Sequence, residues 1–182
     1  GRMLVFLINT NAPTQHGVYI LHFIAFGYTF SKYVIDQRTA RAMMISGMVL
    51  ASLSIINSLF VEDITAFSTN AAVVFSLFVV IASLFTFLDM LKHPDKIPLS
   101  RKGLFWFNTA TLIFYATTFF RSALNNYYLE HYYEPSGTFM PDWVINLNKG
   151  LNYYLYISYS IAIWLDLKKT FINDKSGYLS DL

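Results

Sequence analysis

Ser100 to Gly137 reads SRKGLFWFNTATLIFYATTFFRSALNNYYLEHYYEPSG, and the fold turns on how this stretch is read. Its centre is apolar enough for lipid. Yet Asn108, Thr111, Tyr115, Thr118, Ser122 and Asn125 recur at steps of three and four. At helical geometry the six form one polar stripe. A polar stripe on a lipid-embedded helix faces other helices, because unsatisfied polar groups are costly in hydrocarbon. The stretch therefore reads as the inner wall of a helix bundle.

Composition points the same way. Only 13% of the 182 residues are charged and 55% are hydrophobic. A soluble domain carries about 25% charged residues. The charges here sit in short patches between long apolar runs, as in a polytopic membrane protein. The expected fold class is all-α, a transmembrane helix bundle of about five spans forming a single domain. The spans are Gly17–Ile35, Met43–Val61, Asn70–Leu91, Leu104–Arg121 and Gly150–Leu167, with an outer knob over Ser122–Lys149. Thr39, Ser68-Thr69 and Ser100 stand where helix starts are expected. All five prolines fall between the spans, so no proline kink is expected. Glu134-Pro135-Ser136-Gly137 ends the fourth helix, Asp142 opens the next as N-cap, and Asn173-Asp174-Lys175-Ser176-Gly177 stops it.

Ten of the thirteen basic residues fall on one side of these spans: Lys32, Arg38, Arg41, Lys92, Lys96, Arg101, Lys102, Lys168, Lys169 and Lys175. The opposite loops are acidic, with Glu62, Asp63, Glu130, Glu134 and Asp142. The positive-inside rule then gives an outside amino end and a cytoplasmic carboxyl end. Trp106 and Trp164 fall near the inner boundary. Trp143 and Tyr127, Tyr128, Tyr132, Tyr133, Tyr153 and Tyr154 fall near the outer one, where an apolar ring with a polar atom is stable. Met3 to Ile8 is too short to span and lacks a cleavage site. It reads as a trimmed end or as the tail of an earlier span, and two such spans would make seven.

The chemistry that these residues exclude is extensive. No cysteine is present, so disulfides, thiolate catalysis and thiolate-bound metals are ruled out. The Lys32, Asp89, Arg121 and Asp166 charges lie at span ends, where they meet water. No mid-span carboxylate or lysine remains for proton coupling or a Schiff base. No hydrolase, zinc-protease or nucleotide-binding motif occurs, and Glu62-Asp63 reads as a solvated loop. His22 alone among the histidines lies inside a span, with His16 and His131 on the outer side. Their scatter fits neither a metal nor haem, so no metal and no cofactor is expected. A net charge of +2 without a long basic run argues against nucleic acid.

The stripe on span four has a counterpart on span five, where Asn148, Asn152, Tyr156 and Tyr159 recur at helical spacing. Two readings remain open for the pair. The stripes are inter-helix glue, or they line a ligand pocket open to the outside. On the second reading the ligand-binding residues are Asn108, Thr111, Tyr115, Thr118, Asn125, Asn152, Tyr156 and Tyr159, with His22 as a sensing group. Small residues on span two (Gly47, Ala51, Ser54, Ser58) and span three (Ala72, Ser76, Ser83) read as close-packing faces.

Phe105–Phe120 (FWFNTATLIFYATTFF) and Asp142–Trp164 (DWVINLNKGLNYYLYISYSIAIW) carry a resemblance. Their aromatic-Trp start, mid-helix tyrosine and W-x-x-N…N-Y-x-L-Y run resemble an uncharacterised family of bacterial seven-span membrane proteins, of which this chain matches the last five spans. The resemblance implies a layout like that of sensory modules, in a bacterial inner (plasma) membrane, beside histidine kinases. It supplies no catalytic residues. The function expected is a non-enzymatic sensory or receptor-like module that binds a ligand or partner in its outer half. Its partners are the bilayer, other membrane proteins or a sensor kinase. The alternative is an accessory subunit of a larger membrane complex.

Overall fold

The computed structural model describes residues 12–62, 64, 68–94, 98–131 and 142–180, with side chains from 124–145 and beyond 168 outside the description. Helix is the regular structure among the described residues, with no strand among them. The elements are α1 (Ala12–Tyr33), α2 (Gln37–Phe60), α3 (Thr69–Lys92), a 3-10 turn (Leu99–Arg101), α4 (Gly103–His131) and α5 (Asp142–Ser180). Each expected apolar stretch coincides with one helix, although Gly17–Ile35 runs two residues past α1 and Met43–Val61 one residue past α2. Of these helices, α2 and α3 are long and apolar enough to cross a membrane. Helix α5 runs through Asn173–Gly177, where a stop was expected. The side chains of the expected outer knob, and of Asn125 on the stripe, lie outside the described residues.

The helices pack in the order α2, α1, α3, α4, α5. Consecutive α2 and α3 barely touch because α1 lies between them. The core is built on α1, α2 and α3 from Phe23, Phe30, Val34, Met43, Ala51, Phe75, Phe78, Val79 and Ala82. Phe107 and Tyr115 of α4 pack against it. On α2 the small residues Gly47, Ala51 and Ser54 face inward, and Ser76 and Ser83 do so on α3. Large apolar side chains stand outward on the other faces, including Leu21, Leu59, Leu91 and Phe120.

The turn from α1 to α2 is set by Asp36. It is the N-cap in place of the expected Thr39, because its carboxylate reaches the amides of Arg38 (3.4 Å) and Thr39 (3.1 Å) and the Thr39 hydroxyl (2.6 Å). The Thr39 hydrogen bonds hold this carboxyl below the usual carboxylate range. A depressed carboxyl stabilises the first turn while it is ionised, and loses that effect as pH falls through its folded-state pKa. Protection of the Arg38 and Thr39 amides, relative to their intrinsic exchange rates, should therefore be lost as pH falls through this lowered pKa. Absence of protection at neutral pH would mean that the cap is not formed.

Both ends of α3 are tied by carboxylates that the sequence reading placed in water. At one end, Glu62 is no solvated loop residue. It accepts from the Asn70 amide (2.9 Å), the Ser68 hydroxyl (3.1 Å) and the Asn57 side-chain amide (2.8 Å). Ser68 makes no side-chain cap of its own, so Glu62 performs that role from the end of α2. Glu62→Ala should destabilise the protein by about 1–2 kcal/mol. Glu62→Gln should do so by less, as judged by thermal unfolding in mild detergent. A larger effect from Ser68→Ala than from Glu62→Ala would refute the assignment. At the other end, Asp89 is buried, and accepts from the Ile35 amide (2.9 Å) and the Asp36 amide (3.3 Å).

Candidate functional site

The polar stripe of α4 is divided among three neighbouring helices. Asn108 has no exposed surface and donates from Nδ2 to the Ser83 carbonyl of α3 (2.9 Å). Its Oδ1 and the Ser83 hydroxyl, buried in the same seam, make no hydrogen bond among the described residues. Tyr115 points at α1 and α3, edge-on to Phe26 (5.6 Å) and Phe75 (5.3 Å). Thr111, also fully buried, meets α5 at Tyr159 (2.8 Å). Thr118 is half-buried and Ser122 buried.

The Thr111 contact has a definite polarity. The single Thr111 hydroxyl proton goes back to the Phe107 carbonyl (2.7 Å). The Tyr159 hydroxyl is then the donor and Thr111 Oγ1 the acceptor. The Tyr159 ring also stacks on Phe107 at 4.8 Å, and Phe107 reaches Phe30 and Tyr33 of α1. Tyr159→Phe keeps the stacking and removes one donor. We expect a loss of about 0.5–1 kcal/mol. A double cycle with Thr111→Val should return most of that as coupling energy. No coupling would place the two hydroxyls out of contact.

The α5 counterpart is corrected by the structure. Tyr156 is 63% exposed and points away from α4. Asn152 donates to the Asn148 carbonyl of its own helix (2.9 Å). Steps of four overshoot the 3.6-residue turn by about 40° each, so a 148–152–156 row rotates off the packed face. The packed face is instead Leu155, Ser158 and Ala162, with Tyr159 beside it. At Ala162 the approach is close: a Cβ on Gly103 would stand 2.5 Å from the Ala162 carbonyl oxygen.

His22 is half-buried and stacks on Phe75 (5.4 Å, 23° between planes), with Tyr19 and Phe26 edge-on. Phe75 is the hub of this end. It is almost fully buried, and its ring touches those of Tyr19, His22, Phe23 and Phe26 of α1 and Tyr115 of α4. His16, expected in an outer loop, is a buried helix residue at 3% exposure, with Nδ1 2.7 Å from the Ser58 hydroxyl of α2. Helix α1 starts earlier than expected, at Ala12, and so draws His16 into the α1–α2 seam. Among the described residues, no three His, Asp or Glu side chains converge as metal ligands would.

The stripe residues Asn108, Thr111 and Tyr115 line none of three clefts on the molecule. One, of about 650 Å³, lies between the α1–α2 turn and the end of α3. A second, of about 530 Å³, separates α2 from α3. The third, of about 410 Å³, is an open depression on α5 beside Tyr156 and Trp164. Compared with known proteins, the chain matches no family model, no curated protein and no solved structure.

Proposed function

We propose that the chain is a non-enzymatic, multi-pass membrane protein of five spans, outside amino end first, acting as a sensory or receptor-like module. Its setting is a bacterial inner membrane. The five-span reading is supported by the apolar side chains that every helix turns outward and by the basic residues gathered at one end. Lys32 and Lys168 of that end each lie over an aromatic ring, Tyr28 and Trp164, at 5.2 Å. Aromatic and basic side chains favour this depth together.

The observation that carries the sensory reading is the double attachment of α3 to α1. In the outer half the two helices meet through Phe75 and His22. At the inner end they meet through Asp89 and the backbone of the α1–α2 turn. A ligand or partner that displaced the outer ring cluster would move α3, and Asp89 would carry that movement to the turn bearing Arg38 and Arg41. Output through the inner loops to a kinase-like partner follows naturally from that linkage.

The absence of cysteine makes the topology directly testable. Single substitutions Arg38→Cys and Lys168→Cys should be labelled only from the cytoplasmic side, and labelling from outside would invert or remove the five-span arrangement. Purification at native abundance in mild detergent tests the role. A separable bundle accompanied by a signalling partner supports the sensory reading. A second reading, as accessory subunit, is favoured by α5, which packs on α4 and turns Tyr153, Tyr156, Ile157, Ile163 and Trp164 outward. Recovery solely within one large, fixed assembly would select that reading.

A further inference from the structure

The 650 Å³ cleft and the 530 Å³ groove are one continuous feature, since Thr39 and Phe85 line both. Their chemistry differs sharply. The cleft is bounded by Arg38, Lys92 and His93 at the basic end of the molecule. The groove between α2 and α3 is lined by side chains such as Ile45, Val49, Leu77 and Ile81, with Ser46 and Thr39 its polar members. A polar chamber in which Arg38 and Lys92 stand beside Asp36 and Asp89, opening into an apolar channel, matches an amphiphile whose head carries a phosphate.

The dimensions choose between an acyl chain and a helix. The groove runs from Thr39 to Leu50 on α2 and from Phe85 to Val74 on α3, a rise of eleven residue steps on each. At 1.5 Å per residue that is about 17 Å, close to half of a hydrocarbon core about 30 Å thick. A docked transmembrane helix needs the full thickness. A lipid tail needs one leaflet.

The cleft also contains two carboxylates, and both are engaged. Asp36 caps α2 and occupies the amides of Arg38 and Thr39. Asp89 holds the turn amides and lies 3.4 Å from His93 Nδ1. Among the described residues, neither Arg38 nor Lys92 forms an ion pair within 4 Å, although the Arg38 charge acts on the neighbouring Asp36 carboxylate. A phosphate in the cleft would therefore be held by these two side chains.

We propose that the joined cleft and groove bind one anionic glycerophospholipid from the basic-side leaflet, its phosphate on Arg38 and Lys92 and an acyl chain between α2 and α3. The inference rests on the membrane reading above. The test begins by extracting membranes with alkaline carbonate. Release of the full chain into the soluble fraction would overturn the membrane reading itself, and the lipid site with it.

The retained protein is then purified in detergent, and bound lipid is counted by native mass spectrometry with phosphatidylglycerol and phosphatidylcholine of identical chains. We expect phosphatidylglycerol to be favoured. Arg38→Gln and Lys92→Gln should each reduce that preference about five-fold, as for one basic residue near an anionic surface. Ser46→Phe, which fills the groove, should reduce retention of both lipids. Circular dichroism of each variant monitors the fold. Equal retention of the two lipids, or a preference unchanged in the double variant, would overturn the site while leaving the membrane reading intact. Displacement by millimolar inorganic phosphate would overturn the lipid assignment in favour of a soluble anion.

Discussion

Asp89→Ala is expected to destabilise the protein by about 3 kcal/mol. The side chain is buried at the end of α3 and accepts from two consecutive backbone amides, those of Ile35 and Asp36. Hydrogen bonds to a charged acceptor contribute about 1.5–3 kcal/mol each, and removing the acceptor leaves its donors to find water. Ile35 and Asp36 are themselves exposed, so the amides partly rehydrate and the two contributions do not add in full. Asp89→Asn keeps one carbonyl acceptor and should lose about half as much. The distinguishing measurement is amide exchange. Ile35 and Asp36 should exchange faster in Asp89→Ala, whereas Thr39, held independently by Asp36, should change little. Unchanged exchange at Ile35 would remove Asp89 from the turn. Without this carboxylate α3 loses its hydrogen bonds to the turn that carries Arg38.

The sequence made the helices legible and hid the way they are joined. Apolar runs bounded by prolines and polar clusters located each helix, because helix formation there depends on local periodicity and on breakers. The stripe on α4 was also legible: Asn108 and Thr111 are fully buried at helix seams. Its division among three partners was not, since spacing along one helix does not say which neighbour each residue meets. The α5 row failed at Tyr156 because two steps of four accumulate a rotation that a short motif conceals. Phe75 and Phe107 passed unnoticed as organising residues, because a phenylalanine in an apolar helix carries no mark against its background. Asp89 and Glu62 were misplaced for a related reason. A carboxylate at the end of an apolar run reads as solvated, and only the fold shows that another segment's unpaired amides lie within reach.

The largest effect is expected at the crossing of α1 and α2. A Cβ on Gly47 would lie 2.7 Å from the Phe23 carbonyl oxygen and 3.1 Å from the Gly27 Cα. Both are backbone atoms, so no side chain can rotate aside, and the helices themselves must separate. Gly47→Ala should cost about 1–3 kcal/mol, and Gly47→Leu considerably more, by overpacking. Gly27→Ala should cost less than Gly47→Ala, because its nearest contacts would be 3.1 Å and 3.2 Å. Gly17 lies on α1 with nothing within 4 Å of a Cβ. Gly17→Ala should therefore stabilise by about 0.5–1 kcal/mol, as replacing glycine within a helix does. The ordering of the four variants in thermal unfolding is the test. If Gly47→Ala proved as harmless as Gly17→Ala, the close crossing would be wrong. The contrast between Gly47 and Gly17 thus separates a glycine required by the close approach of two backbones from one that the helix merely tolerates.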